Sequence, residues 1–281
     1  MKSPILASLL LLLTLTACDN TTTDEPVIDP TLVRVKVKVI DYSPAPGQFI
    51  NTLPQVNPGT SREDVIAKVE AVFNGSDDAA VITLGAFGGT VTVKTAEPIS
   101  GTFQVIGNAI PTQGEPGLIS ISADGNKWYD IPGENYSKAK RTTVTYHRPA
   151  DGASDQDYIR WETADGASGY LSRIPDFHTQ NYFPEWENSP TMTFTALRLP
   201  DNLTFDNKTL QYVLTPMNGY ADCFPNNNNR SLIDPSKAVD NDGKPAPITS
   251  FSYIRVHSST LQNCGPLGEA STEVGGFKTF K

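Results

Sequence analysis

Residues 33–39 read Val-Arg-Val-Lys-Val-Lys-Val, and this stretch decides the fold class. Successive side chains of a β-strand point to opposite faces, so valine at every second position forms one apolar, β-branched face. Arg34, Lys36 and Lys38 occupy the other face. Because the period is two, we predict a half-buried strand here, at the start of a folded domain that spans residues 31–281.

One segment has the pattern of a helix. Ser61 can cap it, Asp64 follows three residues later as in a capping box, and the apolar side chains between Val65 and Phe73 lie on one helical face. We therefore expect a short helix near residues 61–73.

From residue 80 onward the chain is rich in β-type runs separated by Gly, Pro and Ser. We expect strands at 81–84, 90–93, 103–106, 118–122, 128–129, 158–161, 170–171, 192–199, 210–214 and 253–257. The dipeptides Asp124-Gly125 and Asp165-Gly166 favour tight hairpins. Short strands, frequent turns and almost no helix predict an all-β fold, an antiparallel β-sandwich or jelly roll.

The N-terminal 30 residues indicate export and lipid attachment. Lys2 precedes an apolar segment, and Ala17 stands directly before Cys18. We expect a signal peptide at residues 1–17, a lipid on Cys18 and a flexible tether over residues 18–30. Asp19 and the following threonines are not an obvious surface-export signal, so the choice of membrane leaflet stays open.

Cysteine content and net charge indicate which covalent links and which binding partners to expect. Cys223 and Cys264 are the cysteines left after lipidation, and an even pair in an oxidising compartment favours a disulfide over two buried thiols. The formal net charge of −9, without a cluster of Lys and Arg, argues against nucleic acid.

The common catalytic motifs are missing from the sequence. It contains no G-x-S-x-G, H-E-x-x-H, P-loop or G-x-G-x-x-G pattern. We therefore expect no enzymatic activity. Glu162, Glu185 and Glu187 lie near aromatic residues, so a glycan-processing enzyme remains an alternative.

The segment from Trp161 to Trp186 is the densest in aromatic residues. Aromatic faces stack on sugar rings and flat macrocycles, and polar neighbours orient such ligands. We expect Trp161 in the core and Tyr182 and Trp186 at the surface. The predicted ligand contacts are His178, Tyr182, Trp186 and Tyr220.

Acidic residues in the last third of the chain indicate a possible structural Ca²⁺. Ca²⁺ takes six to eight oxygen ligands, and the candidates are Asp222, Asp240 and Glu269, with Glu273 nearby. Solvated turns are the alternative, above all for Asp240-Asn241-Asp242-Gly243, which matches half of an EF-hand loop.

Several segments together resemble the "cell surface protein" lipoproteins common in Bacteroidetes. The resemblance covers nearly the whole mature chain, in order. Its segments include 45–51, 84–89, 115–117, 122–125, 128–129, 159–161, 177–178, 182–184, 198–200, 219–222 and 268–274.

The resemblance implies a discoidin-like or galactose-binding-like β-sandwich on the cell surface. Some members are similar to proteins encoded beside outer-membrane vitamin B12 uptake systems, which implies cobamide capture. We expect an outer-membrane lipoprotein that binds a small molecule or glycan for a partner such as a TonB-dependent transporter. An adhesin or envelope structural protein is the alternative.

Overall fold

The computed structural model describes residues 31–174 and 176–281. Within them lie one α-helix, α1 (Arg62–Asn74), and the following strands. They are β1 (Leu32–Arg34), β2 (Val37–Ser43), β3 (Ile82–Thr83), β4 (Thr90–Ile99), β5 (Phe103–Ile106), β6 (Gly117–Ser122), β7 (Tyr129–Asp130), β8 (Lys140–His147), β9 (Ile159–Thr163), β10 (Ser168–Leu171), β11 (Thr191–Arg198), β12 (Leu203–Asp206), β13 (Gln211–Leu214), β14 (Leu232–Ile233), β15 (Phe251–Ser258), β16 (Glu273–Val274) and β17 (Gly276–Phe280). Short 3₁₀ turns occupy Tyr136–Lys138, Asn229–Ser231, Pro235–Lys237 and Gly265–Leu267. The expected signal peptide (1–17), Cys18 and the tether (18–30) lie outside the described residues.

The strands form antiparallel sheets, which confirms the predicted all-β class. A five-stranded sheet has the order β2-β4-β15-β6-β7, and a four-stranded sheet has the order β1-β17-β5-β14. A second four-stranded sheet runs β10-β9-β8-β11, and β12-β13 and β16-β3 form two-stranded pairs. The ladders between these strands are antiparallel, so the architecture is a β-sandwich with an added third sheet.

The main hydrophobic core lies between the five-stranded sheet and the β1-β17-β5-β14 sheet. Val93 and Ile254 come from the first sheet, Phe103 and Phe277 come from the second, and all are fully buried or nearly so. Helix α1 adds Val69 and other apolar side chains to the same core. Burial of each such side chain stabilises the fold by about 1.5–3 kcal/mol, and the sum of these contributions is the main force that holds the layers together.

The helix begins and is anchored as its sequence predicts. The Ser61 side chain accepts a hydrogen bond from the Asp64 N–H at the N-terminus. At the C-terminus, Arg34 donates to the Phe73 carbonyl oxygen and Lys36 to that of Asn74. Since the last carbonyls of a helix lack intrahelical partners, Arg34 of β1 and Lys36, which lies between β1 and β2, fix the helix to the sandwich.

The alternating stretch at 33–39 forms two short strands in different sheets. β1 pairs with β17, whereas β2 pairs with β4. The Val35 N–H still bonds to Phe277, and Ala96 donates to the Lys36 carbonyl oxygen. The alternation of buried valines therefore continues while the backbone partners change from one sheet to the other.

The third sheet covers a second core. Val144 and Tyr146 of β8, Ile159 of β9 and Leu171 of β10 are buried there with Phe87. The Asp165-Gly166 turn joins β9 to β10 as predicted, with Gly166 at a φ of 94°. Among the residues that the structure describes, no helix is long and apolar enough to cross a bilayer.

Candidate functional site

Four buried or partly buried acidic residues lie near one another in the fold. They are Glu115, Asp222, Glu269 and Glu273, called the carboxylate cluster below. Ligand atoms of Glu115, Asp222 and Glu273 all lie within 4.8 Å of one another. Glu269 adds to the electrostatic repulsion at Glu115 and Glu273. Glu115 and Asp222 are distant in the chain from each other and from the nearby pair Glu269 and Glu273, so only the tertiary structure brings these three parts of the chain together.

Asp222 is held in an unusual backbone conformation. Its φ is 55°, in the left-handed region that is uncommon for residues other than glycine. Oδ1 accepts the Asn108 N–H at 2.9 Å, and Oδ2 accepts the Glu273 N–H at 2.8 Å. A Cβ added at Gly107 would lie 2.4 Å from Oδ1, so glycine there is what admits the carboxylate.

Glu273 lies in β16, opposite Thr83 of β3. Its Oε1 accepts hydrogen bonds from the Thr83 hydroxyl at 3.0 Å and the Ser271 hydroxyl at 2.7 Å. Its Oε2 is buried and has no hydrogen-bond partner among the described residues. Thus one oxygen orients the side chain, and the other is left unsatisfied.

Glu115 precedes β6 and is tied to both neighbouring segments. Its N–H donates to the Asp222 carbonyl oxygen, and its Oε1 accepts the Ser271 N–H at 2.9 Å. The bonding of Gly117 to Ala221 in both directions continues this contact. Glu115 is the member of the cluster that keeps partial exposure.

Glu269 is held by the 45–51 segment in the way that Asp222 is held beside Gly107. Its Oε1 accepts the Gln48 N–H, and a Cβ added at Gly47 would lie 2.4 Å from that oxygen. Its Oε2 is buried and, within the described chain, has no hydrogen-bond partner. As at Gly107, the backbone approaches the carboxylate more closely than any side chain would permit.

The cluster has little charge compensation. Among the described residues, no Lys, Arg or His nitrogen lies within 4.0 Å of these four carboxylates, although ten such ion pairs occur elsewhere. Burial raises the pKa of Asp222 to about 7 and that of Glu269 to about 8. Burial, and then repulsion by acidic neighbours, raises the pKa of Glu115 and of Glu273 well above the usual value.

The donor set consists of oxygens, which are the ligands that hard cations prefer. Of the three predicted metal ligands, Asp222 and Glu269 are buried here. Asp240 is not in the group: its Oδ1 accepts the N–H groups of Asp242 and Lys244 in an exposed turn. The half EF-hand pattern is thus a hairpin turn, because its carboxylate is used to close the loop.

A second candidate site lies on the outer face of the five-stranded sheet. It is called the sheet groove, and its volume is about 420 Å³. Its charged and aromatic lining includes Asp41, Trp128, Asp130, Arg141, Tyr253 and Arg255. Thr92 and Ser120, on either side of Arg255 in the sheet, provide hydroxyl groups on its floor.

Arg255 is the central cation of the groove. Its guanidinium carbon lies 3.9 Å from the centre of the Trp128 ring, and its Nε donates to the Thr92 hydroxyl at 3.1 Å. Tyr253 packs edge-on to Trp128 at 6.5 Å. Partial burial lowers the pKa of Arg255, although arginine stays charged.

The groove holds two arginines that form no ion pair with a described residue, although the charges of Asp41 and Asp130 act on Arg255 from farther away. No described carboxylate lies within 4.0 Å of Arg255 or Arg141, whereas Asp41 pairs with Arg62 at 2.7 Å. Asp130 accepts the Ser120 hydroxyl at 2.6 Å and the Tyr136 hydroxyl at 2.8 Å. The acids are therefore engaged, and the guanidinium groups retain donors for a ligand.

The aromatic residues predicted as contacts lie outside this groove. Tyr182 and Tyr220 are 0% and 1% exposed, so the expected surface position of Tyr182 is wrong. Tyr182 fills the second core, and the Tyr220 hydroxyl donates to the Glu134 carbonyl oxygen at 2.9 Å. Their apolar rings gain more from packing than they would at the surface.

Trp186 and His178 are partly buried. Trp186 packs against the main core, with its ring 6.1 Å from that of Tyr42. His178 packs edge-on to Phe49 at 4.8 Å, and partial burial lowers its pKa. Both residues therefore have structural contacts of their own.

The cysteines are separate in the structure. Cys223 and Cys264 are both free and buried, in different apolar clusters, so the expected disulfide is not present. An even number of cysteines in an exported chain favours a disulfide but does not bring the two sulfurs together. Burial raises the pKa of Cys264 to about 12, and that of Cys223 further.

The three carboxylates considered for glycan hydrolysis have different partners. Glu162 pairs with Arg160 and His147, Glu185 accepts the Asn181 amide at 3.2 Å, and Glu187 lies 3.5 Å from Arg62. Each carboxylate is thus used by its own local contact.

Sequence reasoning missed the groove and part of the cluster. The groove had a usable signal in the predicted strand 253–257, where Tyr253 and Arg255 alternate with Ile254 and Val256. A charged residue between apolar ones on a strand marks the outer face of the sheet. Glu115 had no such signal. Nothing in its local sequence places it beside Asp222 and Glu273, which follow 107 and 158 positions later in the chain.

Comparison with protein-family models and with curated proteins gives no match for this chain.

Proposed function

We propose that this protein is a non-catalytic, exported lipoprotein that binds a small polar ligand in the sheet groove. The observation that carries the proposal is the pair of arginines, Arg255 and Arg141, which line a groove of about 420 Å³ and have no carboxylate within 4.0 Å among the described residues. Sites for small molecules are concave, measure about 300–1,000 Å³ and contain a few convergent polar groups.

The groove favours a ligand that carries an acidic group. Guanidinium groups bind carboxylates through two parallel hydrogen bonds, which are stronger than bonds between neutral groups. The exposed part of Trp128 offers an aromatic surface for a sugar ring, and the floor hydroxyls provide further hydrogen bonds. An acidic glycan therefore fits the chemistry better than a neutral one.

Calorimetric titration of the full chain with D-glucuronic acid, D-glucose and cobalamin tests the proposal. We expect heat with glucuronic acid and at least tenfold weaker binding of glucose. Cobalamin is included because the sequence resemblance implies cobamide capture. No heat with any of the three probes would overturn the assignment of a small polar ligand to the groove.

Two arginine variants separate a groove contact from a general effect of charge. Arg255→Met removes the guanidinium of the groove and should weaken binding of glucuronic acid at least tenfold, since a hydrogen bond to a charged group contributes about 1.5–3 kcal/mol. Arg230→Met is the matched control, because Arg230 also stacks on an aromatic ring, 4.0 Å from the centre of Phe224, and does not line the groove. Equal losses in the two variants would count against the groove.

The anchor and the partner are part of the same proposal. A lipid on Cys18 would hold the domain at the outer membrane, where captured ligand passes to an uptake system such as a TonB-dependent transporter. Metabolic labelling with a lipid precursor should mark the wild-type chain and leave Cys18→Ala unlabelled.

A contact protein without a small ligand is the second candidate. The hairpin of β12 and β13 exposes Phe205, Leu210 and Tyr212, of which Leu210 is 73% exposed. Exposed apolar side chains of this size are typical of protein contacts. A variant with serine at Phe205, Leu210 and Tyr212 tests this candidate. If it bound glucuronic acid as tightly as the wild type, the groove would be favoured as the functional surface.

A further inference from the structure

The charge of the carboxylate cluster needs an explanation that hydrogen bonds within the protein do not supply. Four acidic side chains lie near one another, and no described cationic side chain lies within 4.0 Å of them. Isolated buried carboxylates are costly, so such groups are normally paired, protonated or bound to a metal ion. The choice among these states depends on the geometry of the free oxygens.

We infer that the carboxylate cluster binds one calcium ion through Glu115, Asp222 and Glu273. This site is independent of the proposed ligand in the sheet groove. Of the metal set expected from the sequence (Asp222, Asp240 and Glu269), only Asp222 is a proposed ligand, and Glu115 and Glu273 take the other two places.

The unsatisfied oxygen of Glu273 is the second observation that points to an ion. Glu273 is 1% exposed, and its Oε1 is saturated by two hydroxyl donors. Its Oε2 has no partner among the described residues, in a side chain whose carboxylate lies within 4.8 Å of those of Glu115 and Asp222. A buried acceptor without a donor costs stability, and a cation is the partner that uses its lone pairs.

The spacing suits calcium. Ca²⁺ lies about 2.3–2.6 Å from its oxygen ligands, so two oxygens on the same ion are at most about 5 Å apart. Mutual separations within 4.8 Å meet this condition for the three carboxylates. Mg²⁺ requires a tighter octahedron and gives up its water reluctantly, while Zn²⁺ prefers sulfur and nitrogen ligands that this group lacks.

The surrounding backbone is shaped around the carboxylates. Gly107 and Gly47 each leave space where a Cβ would lie 2.4 Å from a carboxylate oxygen, of Asp222 and Glu269 respectively. Glu269 has an unpartnered Oε2 of its own and repels Glu115 and Glu273, but it is not one of the three proposed ligands. Glu115 is the only one of the three ligands with partial exposure, so it is the ligand nearest to solvent by this measure.

The ion would join three distant parts of the chain. Glu115 leads into β6, Asp222 lies in the loop after β13, and Glu273 pairs β16 with β3. An ion that binds the folded state and not the unfolded chain stabilises the fold by mass action. We therefore expect calcium to act as a structural cross-link.

Thermal unfolding of the full chain, freed of metal by a chelator, tests the inference. With CaCl₂ at one hundred times its Kd, the Tm should rise by about 5–10 °C, as expected for a domain of this size. Equal MgCl₂ should give a clearly smaller rise, and elemental analysis should find one calcium per chain. No rise with CaCl₂, or an equal rise with MgCl₂, would overturn the assignment.

Glu273→Gln separates metal binding from a purely structural role. The amide keeps an oxygen for the Thr83 and Ser271 hydroxyls but removes one buried charge. In chelator its Tm should equal or exceed that of the wild type, and CaCl₂ should no longer raise it. A lower Tm in chelator together with an unchanged calcium response would contradict the inference.

Two further variants complete the test. Glu115→Gln, at the partly exposed ligand, should also lose the calcium response and provides the result if Glu273→Gln does not fold. Asp240→Asn is the matched control, because it makes the same kind of change in the exposed turn. If Asp240→Asn lost the response while Glu115→Gln kept it, the ion would belong to the turn and not to the cluster.

Discussion

Replacement of Gly107 by alanine should destabilise the fold through Asp222. The new Cβ would lie 2.4 Å from Asp222 Oδ1 and 3.1 Å from the Asp222 Cα. The Asp222 side chain cannot simply turn away, because its two carboxylate oxygens accept the backbone N–H groups of Asn108 and Glu273. To restore ordinary contact, the carboxylate must move by about 1 Å and give up at least one of these bonds.

The cost of Gly107→Ala follows from these contacts. Loss of a hydrogen bond to a charged group costs about 1.5–3 kcal/mol, and overpacking of a close-packed site adds about 1–3 kcal/mol. Alanine offsets about 0.4–1 kcal/mol of this by restricting the unfolded chain. The net loss in the free energy of unfolding is therefore about 2–5 kcal/mol, or about 4–20 °C in Tm.

Urea and thermal unfolding of Gly107→Ala and Gly75→Ala, both in chelator, provide the measurement. Gly75 is the matched control, since it has a φ of −67° and its added Cβ would approach backbone oxygens only to 3.3 Å. We expect a change below about 1 kcal/mol for Gly75→Ala. If the Gly107 variant were as stable as this control, the close packing of Asp222 against residue 107 would be refuted.

Three other predictions concern the rest of the fold. Burial lowers the pKa of His257 below its usual value, so the unfolded state binds the proton more readily, and the stability that neutral His257 contributes is lost as the pH falls below about 6.5. The difference in unfolding free energy between wild type and His257→Gln should therefore shrink between pH 7.5 and 5.5, by at most about 1.4 kcal/mol per pH unit. A pH-independent difference would contradict the lowered pKa. Ser61→Ala removes the N-cap of α1 and should cost about 0.5–2 kcal/mol in urea unfolding, whereas an unchanged midpoint would mean that the cap is not formed. Arg34→Met leaves the Phe73 and Gly275 carbonyl oxygens without their donor and should cost about 2–4 kcal/mol, a result that a loss below 0.5 kcal/mol would disprove.

The groove and the cluster show different limits of sequence reasoning. Arg255 stands in a strand whose alternation predicts its outward direction, so the strand face was available from the sequence. Its stacking on Trp128 was not, because that contact depends on how β15 and the turn before β7 come together. For the cluster, the oxygen chemistry of Asp222 and Glu269 predicts a cation site, but Asp240 has the same chemistry and lies in an exposed turn.

The all-β class, the helix near residues 61–73 and the tight Asp165-Gly166 hairpin could be predicted from local sequence, whereas Asp124-Gly125 lies in a longer connection between β6 and β7. These features depend on side-chain period, capping and turn conformation, which act over a few residues. The tertiary structure alone decided that residues 33–39 pass between two sheets, that Tyr182 is buried, that Cys223 and Cys264 stay apart, and that Glu115, Asp222 and Glu273 meet. Each of these outcomes requires contacts between residues far apart in the chain, and local periodicity carries no information about which distant segments pair.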